Sequence, residues 1–204
     1  MAETRSTDDR TDDILDAALE LAASGGFDHV RQREVAARAN VALGTLYKRF
    51  RSKEDLLAAA MAREAERLER KLTESPVDGA TTHARLSSFF AVTTKHLCKR
   101  PRVAHAMIRA MSSGVPEIAA KVVAYQTRMT GLTIAAMRGG PGKLEFVDAA
   151  QAPPTELELT YAFMLLQMWF ACLVGWSAGL FSQASVDEQM ARAIAVIGKG
   201  LGAG

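Results

Sequence analysis

The 204-residue chain is 49% hydrophobic and 24% charged, with a formal net charge of +2. That is enough to build one compact unit, or a small domain fused to a larger one. Its two cysteines, Cys98 and Cys172, lie far apart without CxxC spacing and fall in apolar segments, which argues for reduced, buried thiols and against a disulfide framework or zinc site. The polar, acidic N-terminus has no apolar signal region, so a cytoplasmic protein is expected.

Strand signals are nearly absent, and Ala, Leu, Arg, Glu and Met dominate, so the expected class is all-α. Asp12 to Ser24 reads as a first helix, with Thr11 as N-cap and Ile14, Leu15, Ala18, Leu19 and Ala22 on one stripe. Gly25-Gly26 supplies the left-handed C-terminal cap, and Phe27 and Val30 look like core anchors. A second helix follows near 32–39, Asn40 makes a turn, and a third helix spans about 42–49. In that third helix Leu46 and Phe50 point inward at i, i+4 spacing.

Ser52-Lys-Glu-Asp55 fits a capping box for a long fourth helix reaching about Thr73. Ser75 to Gly79 is the clearest boundary. Helical segments follow near 80–99, 102–113 and 116–138. Gly139 to Pro154 then holds three prolines and three glycines in 16 residues, and a connection that long is commonly mobile or functional. Two final helices are expected at about 155–181 and 186–200.

Tyr161 to Phe181 has no formal charge over 21 residues, long enough to span a bilayer. Its nearest charged neighbours are acidic, however, so the basic residues that orient a span are missing. A helix apolar all round is also what a core and a dimer interface together require, and no membrane contact is expected. The four histidines (29, 83, 96 and 105) do not fall into metal-ligand spacing, and no nucleophile elbow, P-loop or dinucleotide fingerprint occurs. Catalytic residues, metal and cofactor are therefore expected to be none. Rival readings are a helical enzyme and a membrane-anchored interaction module built on 161–181.

The charge is unevenly placed. Residues 1–30 are strongly acidic, whereas 31–53 carry seven Lys/Arg against the single Glu34, the footprint of a phosphate-binding surface. Two short helices around a tight turn in this basic stretch have the build of a helix-turn-helix, whose second helix enters the DNA major groove. The candidate DNA-contact residues are Arg31, Gln32, Arg33, Ala42, Leu43, Gly44, Thr45, Tyr47, Lys48, Arg49 and Lys53. Gly44 would let the backbone approach the groove wall, and Tyr47, Lys48 and Arg49 suit phosphates. Thr45 suits a phosphate or a base edge, and Leu43 a thymine methyl. Arg31, Gln32 and Arg33 sit at a helix N-terminus, where phosphate oxygens bind well. Spacing alone leaves open a solvated basic helix pair with no DNA role.

The run REVAARANVALGTLYKRFRSKEDLL closely resembles the TetR family of bacterial transcriptional regulators, in its V-x-x-G-T-L-Y-x-x-F recognition helix and the S-K-E-x-L start of helix four. The resemblance covers about residues 11–57. It implies an all-α dimer with an N-terminal three-helix helix-turn-helix head on a larger α-helical body for ligand binding and dimerisation. It also implies DNA-contact positions at Gly44, Thr45, Tyr47 and Lys53. The acidic N-terminal arm departs from the basic arms of many members, which puts minor-groove contacts from Arg5 or Arg10 in doubt. The segments RLSSFF, KRPRVAHAMIRAM and MWFACLVGW are similar, more weakly, to actinobacterial sterol- and lipid-catabolism repressors of this family. The corresponding division is 1–52 for the arm and DNA-binding domain, 53–78 for a connecting helix and linker, and 79–204 for the body.

The C-terminal part holds both tryptophans, six of eight phenylalanines and seven of nine methionines, a composition suited to an adaptable apolar pocket or to plain core. The candidate ligand residues are Phe90, His105, Met107, Arg109, Met111, Tyr125, Gln126, Met129, Met164, Gln167, Met168 and Trp169, the polar ones orienting the ligand. The expected partners are double-stranded operator DNA, a small apolar or amphipathic effector such as an acyl-CoA or a steroid-like molecule, and a second copy joined through the last two helices. The expected function is that of a repressor released from a palindromic operator by that effector, with ligand-independent or activating regulation as the alternative. Helices four and six are the expected transmission elements.

Overall fold

A computed structural model describes residues 7–139 and 152–200. Arg5 and most of the 139–154 connection lie outside the described residues. Nine α-helices occur among those described: α1 (Thr7–Gly25), α2 (Gln32–Arg38), α3 (Leu43–Arg49), α4 (Lys53–Glu74), α5 (Thr82–Cys98), α6 (Pro101–Met111), α7 (Ala119–Arg138), α8 (Glu156–Ser177) and α9 (Gln183–Gly200). Short 3-10 turns occupy Phe27–His29 and Pro116–Ile118, and no strand is found among the described residues. The class is all-α, as the composition indicates.

The chain divides into two compact units, residues 1–63 with 100–124 and residues 64–99 with 125–204. α4 and α7 each lend their first part to the first unit and their last part to the second. This grouping differs from the sequence-based division in one element. α6, counted there with the body, joins the N-terminal helices because its apolar face packs on α1 and on the turn at 27–29.

In the first unit the α1 stripe of Ile14, Leu15, Ala18, Leu19 and Ala22 is buried, together with Val30, Val35, Leu46, Phe50, Leu56 and Leu57. α1 begins at Thr7, a turn earlier than the sequence suggests. Acids at the start of a helix meet the positive end of its dipole, so the helix propagates back past Thr11. That residue does not cap it; its hydroxyl accepts from Arg49 instead. At the other end Gly26 adopts φ +73° and donates to Ala22 O at 2.8 Å, the expected left-handed stop. Arg63 of α4 is buried against α1, donating to Asp12 at 2.9 Å and to Asp16. The start of α4 forms the expected cap in a modified form. Asp55 N–H donates to Ser52 Oγ at 3.0 Å, while Asp55 Oδ2 accepts from Arg51 N–H at 2.9 Å rather than from Ser52. The remaining Asp55 oxygen is taken by Lys121 of α7.

In the second unit α5 starts at the N-cap Thr81, whose hydroxyl accepts Ala84 N–H at 3.1 Å. Its Leu86, Phe89, Phe90 and Leu97 are buried, as are Met129, Ile134, Leu165, Leu166, Trp169 and Leu173. The Arg85 guanidinium caps the C-terminus of α7, donating to Ala136 O at 3.0 Å and Met137 O at 2.6 Å. Thr155 and Glu158 form a capping box at the start of α8. α8 ends at Ser177, before the expected Phe181. Gly179 takes φ +78°, and Gly179 and Leu180 donate to Trp176 O (3.0 Å) and Gly175 O (2.9 Å), a Schellman stop. α9 begins earlier than expected because Ser182 Oγ accepts Ser185 N–H at 3.1 Å.

α8 is long and apolar enough to cross a membrane by length and composition. One side carries Tyr161, Leu165, Trp169, Cys172 and Leu173 into the unit's core, while Leu157, Phe163, Met164, Met168 and Val174 are exposed on the other. The Tyr161 hydroxyl donates to Ile194 O of α9 at 2.8 Å. Cys98 and Cys172 are free and buried. Burial raises both thiols, Cys98 to about 11 with help from nearby Asp187.

Candidate nucleic-acid interface

The helix-turn-helix follows directly from its sequence. Asn40 holds φ +52°, a left-handed conformation that Asn tolerates better than most residues, and Val41 N–H closes the turn on Ala36 O at 2.9 Å. α3 then sinks Leu46 completely, and Phe50 closes beneath it. A helix that buries one edge presents the opposite edge. Gly44 and Lys48 are exposed, Tyr47 is 49% exposed, and Leu43 and Thr45 are half-buried beside them. A Cβ placed on Gly44 would meet nothing within 4 Å, so glycine is not required there by packing.

The remaining expected contacts surround this edge. Ala42 is exposed at the N-cap of α3. Arg33 and Lys48 have no ion-pair partner among the described residues, so both are available to phosphate. Arg31 shares its charge with Glu34 at 3.3 Å. Gln32 donates to Phe50 O at 2.9 Å and thereby ties the start of α2 to the end of α3, and Arg49 is held on Thr11. These two side chains brace the motif more than they extend from it. Lys53 lies 3.6 Å from Asp28 and 4.1 Å from the centre of the Phe27 ring.

One feature escaped the sequence. A groove of about 330 Å³ runs beside the recognition helix, lined by Arg10 and Asp13 of α1, residues 39–42 of the turn, and Thr45. Because α1 starts at Thr7, Arg10 belongs to a helix and not to a loose arm. The acidic composition of residues 1–30 concealed that placement.

The expected ligand residues are divided between the two units. His105, Met107, Arg109 and Met111 belong to α6 and the first unit. Met107 and Met111 are buried, and burial pushes the half-buried His105 imidazole toward its neutral form. Arg109 is exposed and pairs with Asp28 at 3.3 Å. In the second unit Phe90 meets Trp169 at 5.9 Å between ring centres, and Trp169 Nε1 donates to Thr94 Oγ1 at 2.9 Å. Tyr125 and Met129 are buried one turn apart on α7, with Gln126 half-buried between them. Met164, Gln167 and Met168 instead lie on the exposed side of α8. An evenly apolar helix gives no sign of which side faces inward, and here the inner side is taken by Tyr161, Leu165 and Trp169. A cavity of about 620 Å³ in this unit is lined by Thr81, Thr82, His83, Tyr161, Ile194 and Lys199 among others, and by none of the expected ligand residues.

Two sequence profiles match the chain. The sequence profile of bacterial regulatory proteins of the tetR family matches residues 14–60, and that of the tetracyclin repressor-like C-terminal domain matches residues 79–197. The chain is 30% identical to the HTH-type transcriptional repressor KstR of Mycobacterium tuberculosis over 184 residues, 90% of this chain and 78% of that protein. Its fold is similar to that of a TetR transcriptional regulator from Rhodococcus sp. RHA1, with a TM-score of 0.80, 25% identity, and coverage of 95% of this chain and 97% of that one. Likeness of fold extends to the regulator FadR of Bacillus subtilis, solved in complex with stearoyl-CoA, with a TM-score of 0.55, 19% identity, and coverage of 91% and 96%.

Proposed function

This chain belongs to the tetR family of bacterial regulatory proteins, and we propose that it is a cytoplasmic, homodimeric repressor that a small apolar or amphipathic effector releases from a palindromic operator. The carrying observation is the outer edge of α3, where Gly44, Tyr47 and Lys48 stand exposed while Leu46 is fully buried behind them. Arg33 and Lys48 neutralise phosphate, Tyr47 donates its hydroxyl to a phosphate oxygen, and Thr45 and Leu43 reach base edges. Gly44 sets how closely the backbone approaches the groove.

The second copy docks on α8 and α9. Phe163, Met164, Met168 and Val174 leave α8 apolar along its exposed side, and Val196 does the same for α9. A patch of this kind on a soluble protein marks an association surface, and an antiparallel four-helix bundle buries it. The bundle sets the two recognition helices about 34–36 Å apart, one helical turn of DNA. An effector with about 1–3 kcal/mol of preference for a body conformation of different head spacing suffices to couple the two events. The apolar and aromatic interior of the second unit, together with the resemblance to lipid- and sterol-catabolism repressors, supports an acyl-CoA or steroid-like effector.

Selection of bound duplexes from a random pool tests the reading. A palindromic consensus with half-sites about ten base pairs apart is the expected product. No enrichment at low salt, where phosphate contacts are strongest, overturns it.

A further inference from the structure

Four side chains of the first unit, among them the expected DNA contact Lys53, form a compact cluster. Asp28, in the turn between α1 and α2, offers one carboxylate oxygen to Lys53 at 3.6 Å and the other to Arg109 of α6 at 3.3 Å. The same two cations lie over the Phe27 ring, Lys53 Nζ at 4.1 Å and Arg109 Cζ at 4.2 Å from its centre. Phe27 itself is buried, so both cations rest on the face of a ring held in the core. We propose that Asp28 restrains the phosphate anchor Lys53, and that Arg109 sets the strength of that restraint. The inference rests on the reading of Lys53 as a DNA contact.

The physical argument is a competition for one carboxylate. To reach a phosphate, Lys53 must leave Asp28, and an unpaired carboxylate beside the DNA repels the backbone. With Arg109 in place, Asp28 keeps a counter-charge after Lys53 departs. With Arg109 withdrawn, Asp28 holds Lys53 more firmly and its own charge faces the phosphates. Any shift of α6 that draws Arg109 away from Asp28 therefore weakens DNA binding, without displacing α3. Arg109 is thus a positioning residue and touches neither DNA nor effector.

All three charged groups are solvent-exposed or half-exposed, so screening keeps each effect modest, and substitutions there spare the core. The test measures anisotropy of a labelled duplex bearing the palindrome recovered by selection, with the full-length protein, between 50 and 200 mM salt. Arg109→Gln is expected to bind about two- to fivefold more weakly and Asp28→Asn about two- to fivefold more tightly than the parent. Arg109→Lys, which preserves the pairing, is expected to stay close to the parent. In the Asp28→Asn background Arg109→Gln is expected to have no effect, and in a Lys53→Met background only the smaller loss that comes from the bare Asp28 charge facing the phosphates. A loss that persists at full size in either background marks Arg109 as a general positive charge or a structural prop, and overturns the proposal. So does an Arg109→Gln protein that binds like the parent. If the parent itself binds no duplex, the DNA reading fails and takes this inference with it, whereas binding without coupling removes the inference alone.

Discussion

Arg138, the last residue of α7, grips both oxygens of Glu158 in the first turn of α8, Nε to Oε1 and Nη2 to Oε2, each at 2.7 Å. The same guanidinium donates to Ala152 O at 2.7 Å and Pro153 O at 3.2 Å. One side chain thus pins together the two ends of the long connection between these helices. A bidentate fork is the strongest form of such a pair.

The pairing is felt in acid. Arg138 holds the Glu158 carboxyl down to about 2 from an ordinary 4.5, with the Thr155 bonds assisting. Its contribution to stability is therefore complete above about pH 4.5 and is lost as the pH falls toward 2. Water still reaches both partners, so the contribution is about 1 kcal/mol at most. Glu158→Gln keeps the capping geometry and removes the charge. It is expected to lower Tm at pH 7 and to melt like the parent near pH 2, as differential scanning calorimetry at both pH values will show.

Phosphate anchors can be counted by salt titration. Lys48→Ala and Arg33→Ala remove cations that pair with nothing else among the described residues. Each is expected to weaken operator binding and to lower the slope of log K against log salt by about 0.9 for every phosphate left without its cation, with far-UV circular dichroism unchanged.

Gly44 separates binding from folding. A methyl group there meets no atom within 4 Å, and alanine in a helix is favoured over glycine by about 0.5–1 kcal/mol. Gly44→Ala is expected to unfold at equal or higher urea concentration while binding operator DNA more weakly. A variant that binds as well as the parent would show that the backbone does not approach the groove at this position.

Arg63 locks α4 to α1. It is buried against Asp12 and Asp16, and its Nε has no hydrogen-bond partner. Arg63→Ala is expected to destabilise the protein by about 1–3 kcal/mol in urea unfolding. Arg63→Met, which refills the volume without a charge, is expected to recover most of that loss.

Assembly has its own test. Ala171 lies in the middle of the exposed side of α8, between Met168 and Val174. Ala171→Arg places a charge in the proposed bundle, and sedimentation equilibrium is expected to find a monomer that no longer shifts the palindrome.

The head was legible in the sequence because its signals are local. The Leu46–Phe50 spacing told which edge of α3 is buried, Asn40 marked the turn, and Ser52 with Asp55 marked the start of α4. What was not legible depended on partners distant in sequence. The pairing of Arg109 with Asp28 is one such contact, since 81 positions separate the two residues. Thr11 read as a helix cap, and only the approach of Arg49 shows its other use. α8 is apolar on every side, so no periodicity separates Trp169, which is buried, from Met168, which is not.

The burial of the two thiols has a chemical consequence. Cys98 is raised to about 11 and Cys172 shifted the same way by burial, which disfavours thiolate, the form that peroxide, disulfides and alkylating agents attack. Both side chains therefore serve as apolar filling among the helices of the second unit and are poor targets for such reagents.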